Sequence, residues 1–513
     1  MLELDQIFVT AVQMQHLETA IFNQGMPIPA LMEKAAGLIA QYIQNHYPLK
    51  NYRKISVLVG PGHNGGDALV VARELSFAGY KICSFRPLEK LKSLTQSHWD
   101  YAQFLGISHT KDLDIFLESH LIIDGLFGFG LTRPITGDLG LLIDELNESG
   151  RPIVSIDLPS GLHTDTGAVL GTAIQATESL CLGLWKRAYG QDAATPYLGK
   201  VNRLDFGIPS HLIAETLSAK NTIQGIPQSL LQRLLPLGRS PLTHKYKQGH
   251  LLLIGGSQTY LGSVLLAALG ARATGIGMLT IAVPESLKLL VVAQLPEALV
   301  LGCPEDETGA IAQLPSLDFS RYQAVACGCG LTLAGAINLM PDLMPREVPL
   351  VLDADALNWL AEEDLEVLQN RHFPTILTPH LGEFKRLFAD QIPITADRFQ
   401  MTQKAAQLTG AIALLKGAKT VIARPDGVTH CVTESTPALA RGGSGDVLLG
   451  LIGGLLAQHP EAPLEVATAA AWWHAQAGIR AAQARTVAGV DGVTLAEFLV
   501  EVLQQWPTKS AGA

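Results

Sequence analysis

Near its end the chain reads STPALARGGSGDVLLGLIGGLLAQ, centred on Gly442-Gly443-Ser444-Gly445-Asp446. Glycines let the backbone curl where a long apolar helix begins, and the unpaired N–H groups of that helix end make a site for an anion such as phosphate. Asp446 falls in the first helical turn, beside the same pocket. A carboxylate repels a bound phosphate, so the pattern makes little sense as a phosphate grip alone. It makes sense where Asp446 takes the proton of a hydroxyl about to be phosphorylated. The competing reading is a helix-start Asp that only complements the macrodipole.

Other residues in the C-terminal half have types suited to the same chemistry. Lys416-Gly417-Ala418-Lys419-Thr420 lacks the full P-loop pattern and reads as a strand-end turn whose amides and lysine can approach phosphates. Gly255-Gly256-Ser257 forms a second glycine turn, followed by Gly262-Ser263 at the opening of a helix. His380 and Glu383 follow one strand, and Asp353 and Asp355 end another, where such carboxylates position magnesium through water or simply cap a helix.

The N-terminal half carries oxygen-rich loops. Gly60, Gly62 and Gly65 satisfy GxGxxG. The next strand, YKICSF, ends without the acid that would hold a ribose, and the turn carries Asn64 and Asp67, which a plain dinucleotide turn does not need. Asp124 closes LIID and Asp157 closes VSID, the latter followed by Leu158-Pro159-Ser160-Gly161. Carboxyl ends of parallel strands share one edge, so Asn64, Asp124, Asp157 and Ser160 can converge. Oxygen donors of this kind suit a hard cation, whereas a single Asp at a strand end is often only an N-cap.

The elements that must position these residues alternate almost throughout. Apolar runs such as ISVLVG (55–60), LIIDGLFG (121–128), IVSIDLPSG (153–161), GHLLLIGGS (249–257), AVACGCG (324–330), PTILTPH (374–380), IALLKGAKT (412–420) and TVIARPDG (420–427) end in turn residues and are followed by amphipathic stretches, the pattern of parallel α/β sheets. Residues 208–247 break it with scattered prolines, which places a domain boundary near Ala219: 1–219 and 220–508. With 513 residues, 48% hydrophobic and 16% charged, the chain fits two compact α/β domains. A net charge of -10 argues against a nucleic-acid backbone binder. The N-terminus lacks a secretory pattern, no apolar run is long enough for a bilayer, and six cysteines show no disulfide or zinc spacing, so a cytoplasmic protein without a membrane partner is expected.

Four ordered motifs in the first half, LMEKAAG, GPGHNGGDALVVAR, DGLFGFGLTRP and SIDLPSGL, resemble the YjeF N-terminal type of NAD(P)H-hydrate epimerase, a Rossmann-like fold. The resemblance implies potassium at Asn64, Asp124 and Ser160. It implies substrate binding by His63, Asn64, Gly65, Gly66 and Asp67, by the loop Gly128, Phe129, Gly130, Leu131, Thr132, Arg133 and Pro134, and by Asp157, the candidate acid–base group. Lys186 matches a lysine near the family's active site. His63 and Ala68 depart from the usual Asn and Gly.

In the second half GGS, DADAL, TPHLGEF, KGAKT and GGSGDVL resemble the ribokinase-like, ADP/ATP-dependent NAD(P)H-hydrate dehydratases. That implies the adenine nucleotide at Lys416, Gly417, Ala418, Lys419, Thr420 and Gly445, and the hydrate at Ser263, Gly330, His380 and Asp446, with Mg2+ accompanying ADP. Ser263, the CGCG turn and Arg441 depart from the family pattern, Arg441 as a charge that could bear on nucleotide preference. The expected chain is a homo-oligomeric two-domain repair enzyme acting on hydrated NADH or NADPH. The alternatives are a vitamin-precursor kinase of the ribokinase superfamily fused to a nucleotide-binding domain, and an N-terminal half that binds without catalysing.

Overall fold

The computed structural model describes residues 6–217 and 222–506, which divide into two compact α/β units, Met1–Ile223 and Gln224–Ala513. The boundary expected near Ala219 lies outside the described residues.

In unit 1 the strands are β1 (Ile7–Val9), β2 (Lys54–Val59), β3 (Lys81–Phe85), β4 (Ser108–Thr110), β5 (Leu121–Gly125), β6 (Ile153–Ile156), β7 (Glu178–Leu182), β8 (Trp185–Lys186) and β9 (Lys200–Leu204). Seven of them form a sheet in the order β4-β3-β2-β5-β6-β7-β9, parallel throughout. The apolar runs supply strands buried on both faces, as a helix-covered parallel sheet requires. From β2 the chain winds outward through β3 and β4, then returns to the other side of β2 as β5. That reversal opens a crevice at the carboxyl ends of β2 and β5. Because β2, β5, β6 and β7 are neighbours, the loops carrying Asn64, Asp124, Asp157 and Lys186 leave the same edge side by side. β1 and β8 form a separate parallel pair, Val9 beside Lys186.

A two-residue strand, β10 (Ile223–Gln224), falls at the division. Unit 2 contains β11 (His250–Ile254), β12 (Met278–Pro284), β13 (Leu299–Cys303), β14 (Ala324–Cys327), β15 (Leu350–Leu352), β16 (Thr375–Leu377), β17 (Ile412–Leu415), β18 (Thr420–Ala423) and β19 (Thr429–Val432). They run in the order β13-β12-β11-β14-β15-β16-β17-β18-β19, parallel as far as β17. The reversal between β11 and β14 sets Gly255–Ser257 beside Gly330, and the following strands place Asp353, His380 and Lys416 in sequence along the edge.

Two expectations need correction. IALLKGAKT and TVIARPDG are antiparallel neighbours, β17 and β18, and not another βαβ unit; the four residues between them are too few for a crossover helix. The irregular stretch 208–247 holds two short helices, Ser210–Thr216 and Gln228–Leu234, each opened by a proline at its N-cap.

The helix Ser444–Gln458 is the spine of unit 2, its Val447–Ala457 stretch wholly buried. It crosses the helix Leu261–Ala273 at backbone contact. A β-carbon on Gly450 would overlap the Ala267 carbonyl oxygen, and one on Gly270 would overlap that of Val447. Gly443, at φ 90°, sets the helix start, and a β-carbon there would press into Leu266. This crossing brings the starts of both helices, Ser263 and Asp446, together.

Gly450→Ala should therefore destabilise unit 2 by about 1–3 kcal/mol through overpacking, measured by denaturant unfolding. An unchanged midpoint would show that the two helices have room to separate.

Candidate functional site

At the sheet edge of unit 1 an ion pair is buried: Lys186 is 1% and Asp157 4% exposed. The Lys186 ammonium bonds Asp157 Oδ1 and the Leu182 carbonyl, and lies 3.9 Å from Cys181 Sγ. Burial opposes its charge, but Asp157, Cys181 and Glu18 outweigh burial and hold the ammonium above its ordinary pKa. Asp157 sits at φ 67°, a region a non-glycine residue enters only when its surroundings compel it. Here Tyr189 donates its hydroxyl to the Asp157 carbonyl at 2.6 Å, and the Asp157 amide donates to Leu180 at 2.9 Å. The carboxylate is thereby aimed at the crevice, accepting from the Phe129 amide at 3.2 Å through Oδ2.

Phe129 also sets its ring 5.6 Å from the Lys186 ammonium. A β-carbon on Gly128 would stand 3.1 Å from both Asn64 Oδ1 and Asp157 Oδ2, so the loop passes the site closely at this glycine. Farther along, Gly130, Thr132, Arg133 and Pro134 are exposed, with Leu131 half-buried. Asp67 is half-buried, just past the first turn of the helix His63–Phe77. Burial, Asp157 and Glu18 push its carboxyl well above the usual range. Gly65 and Gly66 serve packing: a β-carbon on Gly65 would overlap the Gly60 carbonyl, and one on Gly66 would meet Met32 Cε at 2.7 Å. His63 is exposed at the start of that helix.

Behind the ion pair lies Asp124, fully buried. It accepts from Ser160 Oγ (2.6 Å), Ser160 N (2.9 Å), Ser155 Oγ (2.8 Å) and Leu126 N (3.2 Å). These donors are all neutral, and burial pushes the carboxyl up despite them. The Asn64 side-chain nitrogen is buried without a partner. Asp124 and Ser160 thus touch, while Asn64 faces Asp157 across Gly128. Glu18, on the helix Ala11–Asn23, escaped the sequence reading. Its signal was an acid on an apolar stripe, next to buried Leu17 and one turn beyond buried Met14.

Unit 2 repeats the arrangement of one enclosed lysine among carboxylates. Lys416 Nζ is 2.7 Å from Asp353 Oδ1 and 3.8 Å from Glu383 Oε2. Burial opposes its charge, and Asp353, Glu383 and Asp446 raise it above normal. A β-carbon on Gly445 would lie 3.6 Å from Lys416 Nζ and 3.8 Å from Asp353 Oδ2. The glycine–Asp turn and the 416–420 turn therefore face one another. The amides of Gly445 and Asp446 precede the first intrahelical bond, from Val447 N to Gly443 O at 3.1 Å, and stay available to an anion. Arg398 supports the 416–420 turn by donating to the Leu415, Lys416 and Lys419 carbonyls. Lys419 Nζ donates to Thr433 O at 2.6 Å. Gly417 and Thr420 belong to that turn, with Thr420 Oγ1 at 3.4 Å from Gly417 O.

Asp446 is half-buried at the start of its helix. Burial and the neighbouring Asp353 push its carboxyl up to about 6, against Ser263, whose hydroxyl donates to it, and Lys416. Gly330, at φ 65°, turns the chain so closely past Ser263 that a β-carbon would lie 3.1 Å from the serine Cβ. Ser263, Gly330 and Asp446 therefore line one wall. His380 holds the opposite side through Lys416, its neighbour in an isolated parallel bridge. Its ring Nδ1 caps the helix Leu381–Phe388, accepting from Gly382 N and Glu383 N, so only Nε2, 3.5 Å from Glu383 Oε1, is left to meet a ligand. Arg441 donates to the Ala488 and Val490 carbonyls; its guanidinium anchors that loop.

No helix among the described residues is long and apolar enough to cross a membrane, and no cluster of three or more His, Cys, Asp or Glu among them is arranged for a metal ion.

Comparison with known proteins gives both halves a counterpart. The family described as NAD(P)H-hydrate dehydratase matches residues 251–501, and that described as YjeF-related protein N-terminus matches residues 29–188. A bifunctional NAD(P)H-hydrate repair enzyme of Synechocystis sp. is 54% identical over 501 residues, 97% of this chain and 95% of its own length. One from Moorella thermoacetica is 35% identical over 520 residues, 97% and 96% of the two chains. Among solved structures, an ADP/ATP-dependent NAD(P)H-hydrate dehydratase from Bacillus subtilis, co-crystallised with ATP and Mg2+, is similar at 31% identity, covering 55% of this chain and 98% of that one with a TM-score of 0.47.

Titration of the Asp446 carboxyl, followed by carbon NMR, should give a midpoint about 6. Ser263→Ala removes a donor to the ionised form and moves that midpoint upward. A midpoint at the ordinary Asp value in both proteins would contradict the geometry.

Proposed function

Since the chain belongs to the bifunctional NAD(P)H-hydrate repair enzymes, we propose that its first domain, 1–219, interconverts the R and S hydrates of NADH and NADPH and its second, ribokinase-like domain, 220–508, dehydrates the S form at the expense of ADP. The observation that carries the second half is Asp446: a carboxyl raised to about 6 beside Ser263, facing Lys416 across Gly445. A base of that pKa is ionised at neutral pH and still basic enough to accept a hydroxyl proton.

In this reading the hydrate lies along Ser263, Gly330 and His380 Nε2, and the diphosphate lies between the 416–420 turn and Gly445. Asp446 takes the proton of the ring hydroxyl as that oxygen attacks the terminal phosphoryl of ADP and AMP departs. Lys416 and the free amides at the helix start neutralise the charge that develops on the phosphoryl oxygens. Phosphate then leaves with the C–O bonding pair, the ring nitrogen lone pair replaces it, and loss of a proton from the adjacent carbon restores the dihydronicotinamide. Asp353, whose second oxygen faces Gly445, is the carboxylate placed to reach magnesium through water. Magnesium would supply charge neutralisation on the phosphates.

For the first domain, the Asp157–Lys186 pair supports acid–base work at the crevice, with the 63–67 turn and the 128–134 loop cradling the nucleotide. Asn64, Asp124 and Ser160 would hold potassium. The fit rests on donor chemistry: all three offer oxygen, and the buried Asp124 carboxylate has only neutral hydrogen-bond partners, leaving its charge for a cation to balance. Potassium would supply a fixed positive charge that shapes the loops around the substrate. Six free cysteines are compatible with the reducing cytoplasm. Exposed Leu289, Leu290 and Leu299 beside the edge strand β13 are compatible with a homo-oligomer.

Asp446→Ala should abolish recovery of dihydronicotinamide absorbance from the S-hydrate, with ADP binding still measurable by calorimetry. Turnover at the wild-type rate would refute the base role. Asp157→Asn should stop R-to-S conversion while dehydration of the S form continues. Conversion unchanged, with epimers separated chromatographically, would remove Asp157 from the chemistry. A vitamin alcohol phosphorylated by the wild type in place of hydrate repair would favour the kinase alternative.

A further inference from the structure

Glu18 lies on the first helix, ahead of every motif that marks the unit 1 site. The pairing of β1 with β8 sets Val9 beside Lys186, so the helix Ala11–Asn23 leaves from next to that lysine. Its start is held by a capping box between Thr10 and Gln13 and by the Ala11 amide donating to Asp165 at 2.8 Å. Met14 and Leu17 turn inward and are fully buried. Glu18 follows on the same stripe, half-buried. Among the described residues no hydrogen bond or ion pair ties its carboxyl down, although Lys186, Asp157 and Asp67 all lie within its electrostatic reach. A carboxyl kept on an inward face for structural reasons is normally hydrogen-bonded. This one is held by its helix on the inward stripe, within electrostatic reach of Lys186 and Asp157, with its bonding capacity unspent.

Three carboxyls, Glu18, Asp67 and Asp157, thus share one ammonium, and they cannot all stay ionised together. Asp157 is the one with the direct bond to Lys186. Burial and the charge of Asp157 push Glu18 up to about 7, with Lys186 pulling the other way. The site therefore sets the lysine-bonded Asp157 beside a Glu18 carboxyl that is still partly protonated near neutral pH, the pairing an acid–base exchange needs.

The reaction makes use of both. Water adds to the enamine of a dihydronicotinamide at the carbon next to the ring nitrogen, so the hydrate is a hemiaminal and its epimers differ at that carbon. We propose that Glu18 is a second catalytic group of the epimerase, donating a proton to the departing hydroxyl while Asp157 accepts one from the water that returns. The inference rests on the epimerase reading above. The C–O bond breaks with its electron pair going to oxygen, which leaves as water with the proton of Glu18. The nitrogen lone pair closes to an iminium. A water molecule then forms a new C–O bond on the other face, its extra proton passes to Asp157, and the nitrogen recovers its lone pair. The proton then moves from Asp157 to Glu18, directly or through solvent, and nothing is oxidised or reduced.

The test uses the full chain and separated R-hydrate, with interconversion followed chromatographically. Glu18→Gln should lower kcat by roughly 100-fold or more, the size of a lost acid–base group, with KM nearly unchanged. Glu18→Asp should recover part of the rate. In the wild type kcat should fall as pH rises through about 7, where Glu18 loses its proton, and the Gln variant should lack that limb. In labelled water the new epimer should carry the solvent oxygen. Wild-type kcat in Glu18→Gln, a change in KM alone, or retention of the original oxygen would each overturn the proposal. A wild-type chain that does not interconvert the epimers at all would overturn the epimerase reading itself. Should Glu18→Gln melt below the assay temperature, the pH limb in the wild type and the Asp variant decide.

Discussion

Both units depend on backbone approaching backbone more closely than a β-carbon allows. In unit 1 a β-carbon on Gly60 would overlap the Leu126 carbonyl, and one on Gly125 would overlap Ala68. Those contacts draw the β2 turn onto the β5 loop and narrow the crevice at the reversal of strand order. In unit 2 the helix Ser444–Gln458 meets the helix Leu261–Ala273 at Gly450 and Gly270, and that crossing sets Asp446 on Ser263. The glycines of the motifs thus bring acids, hydroxyls and lysines to the distances at which they change one another's proton affinity. Their freedom at a turn matters less than the space they leave.

Electrostatics follows from that packing. Each unit encloses one lysine from a strand end, Lys186 or Lys416, and surrounds it with carboxyls. An isolated carboxylate or ammonium in such a place would be driven neutral by burial. Grouped, they are affected unevenly: one acid bonds the lysine directly, and others nearby are pushed toward neutral pH, about 7 for Glu18 and about 6 for Asp446. Carboxyls poised in this range are suited to moving protons under ordinary conditions. Hydrophobic enclosure, supplied by strands buried on both faces, is therefore part of the chemistry as well as of stability.

The sequence marked which residues share a sheet edge more readily than how they are held. Asp124, Asp157, Asp353 and His380 were legible because each closes or follows an apolar run, and parallel strands deliver such positions to one edge. The resemblance to the epimerase and dehydratase families agreed with that reading, and the Synechocystis relative covers 97% of the chain. What stayed hidden depends on contacts between distant segments. Lys186 was legible only through its match to the family pattern, and its burial against Asp157 was not. Arg398 lies outside the motifs yet supports the 416–420 turn. Arg441 spends its charge on a loop. The β17–β18 hairpin could have been read from its short turn, had connection length been weighed above the repeating pattern. Glu18 left only a faint trace, an acid on an apolar stripe.

If the two sites do successive work on one substrate, the R-hydrate must reach the reduced nucleotide through both. The most direct measurement supplies the wild-type chain with R-hydrate and ADP and follows dihydronicotinamide absorbance together with AMP and phosphate. The account predicts complete recovery, with one AMP and one phosphate formed for each reduced nucleotide. R-hydrate left unconverted, or reduced nucleotide appearing without consumption of ADP, would contradict it.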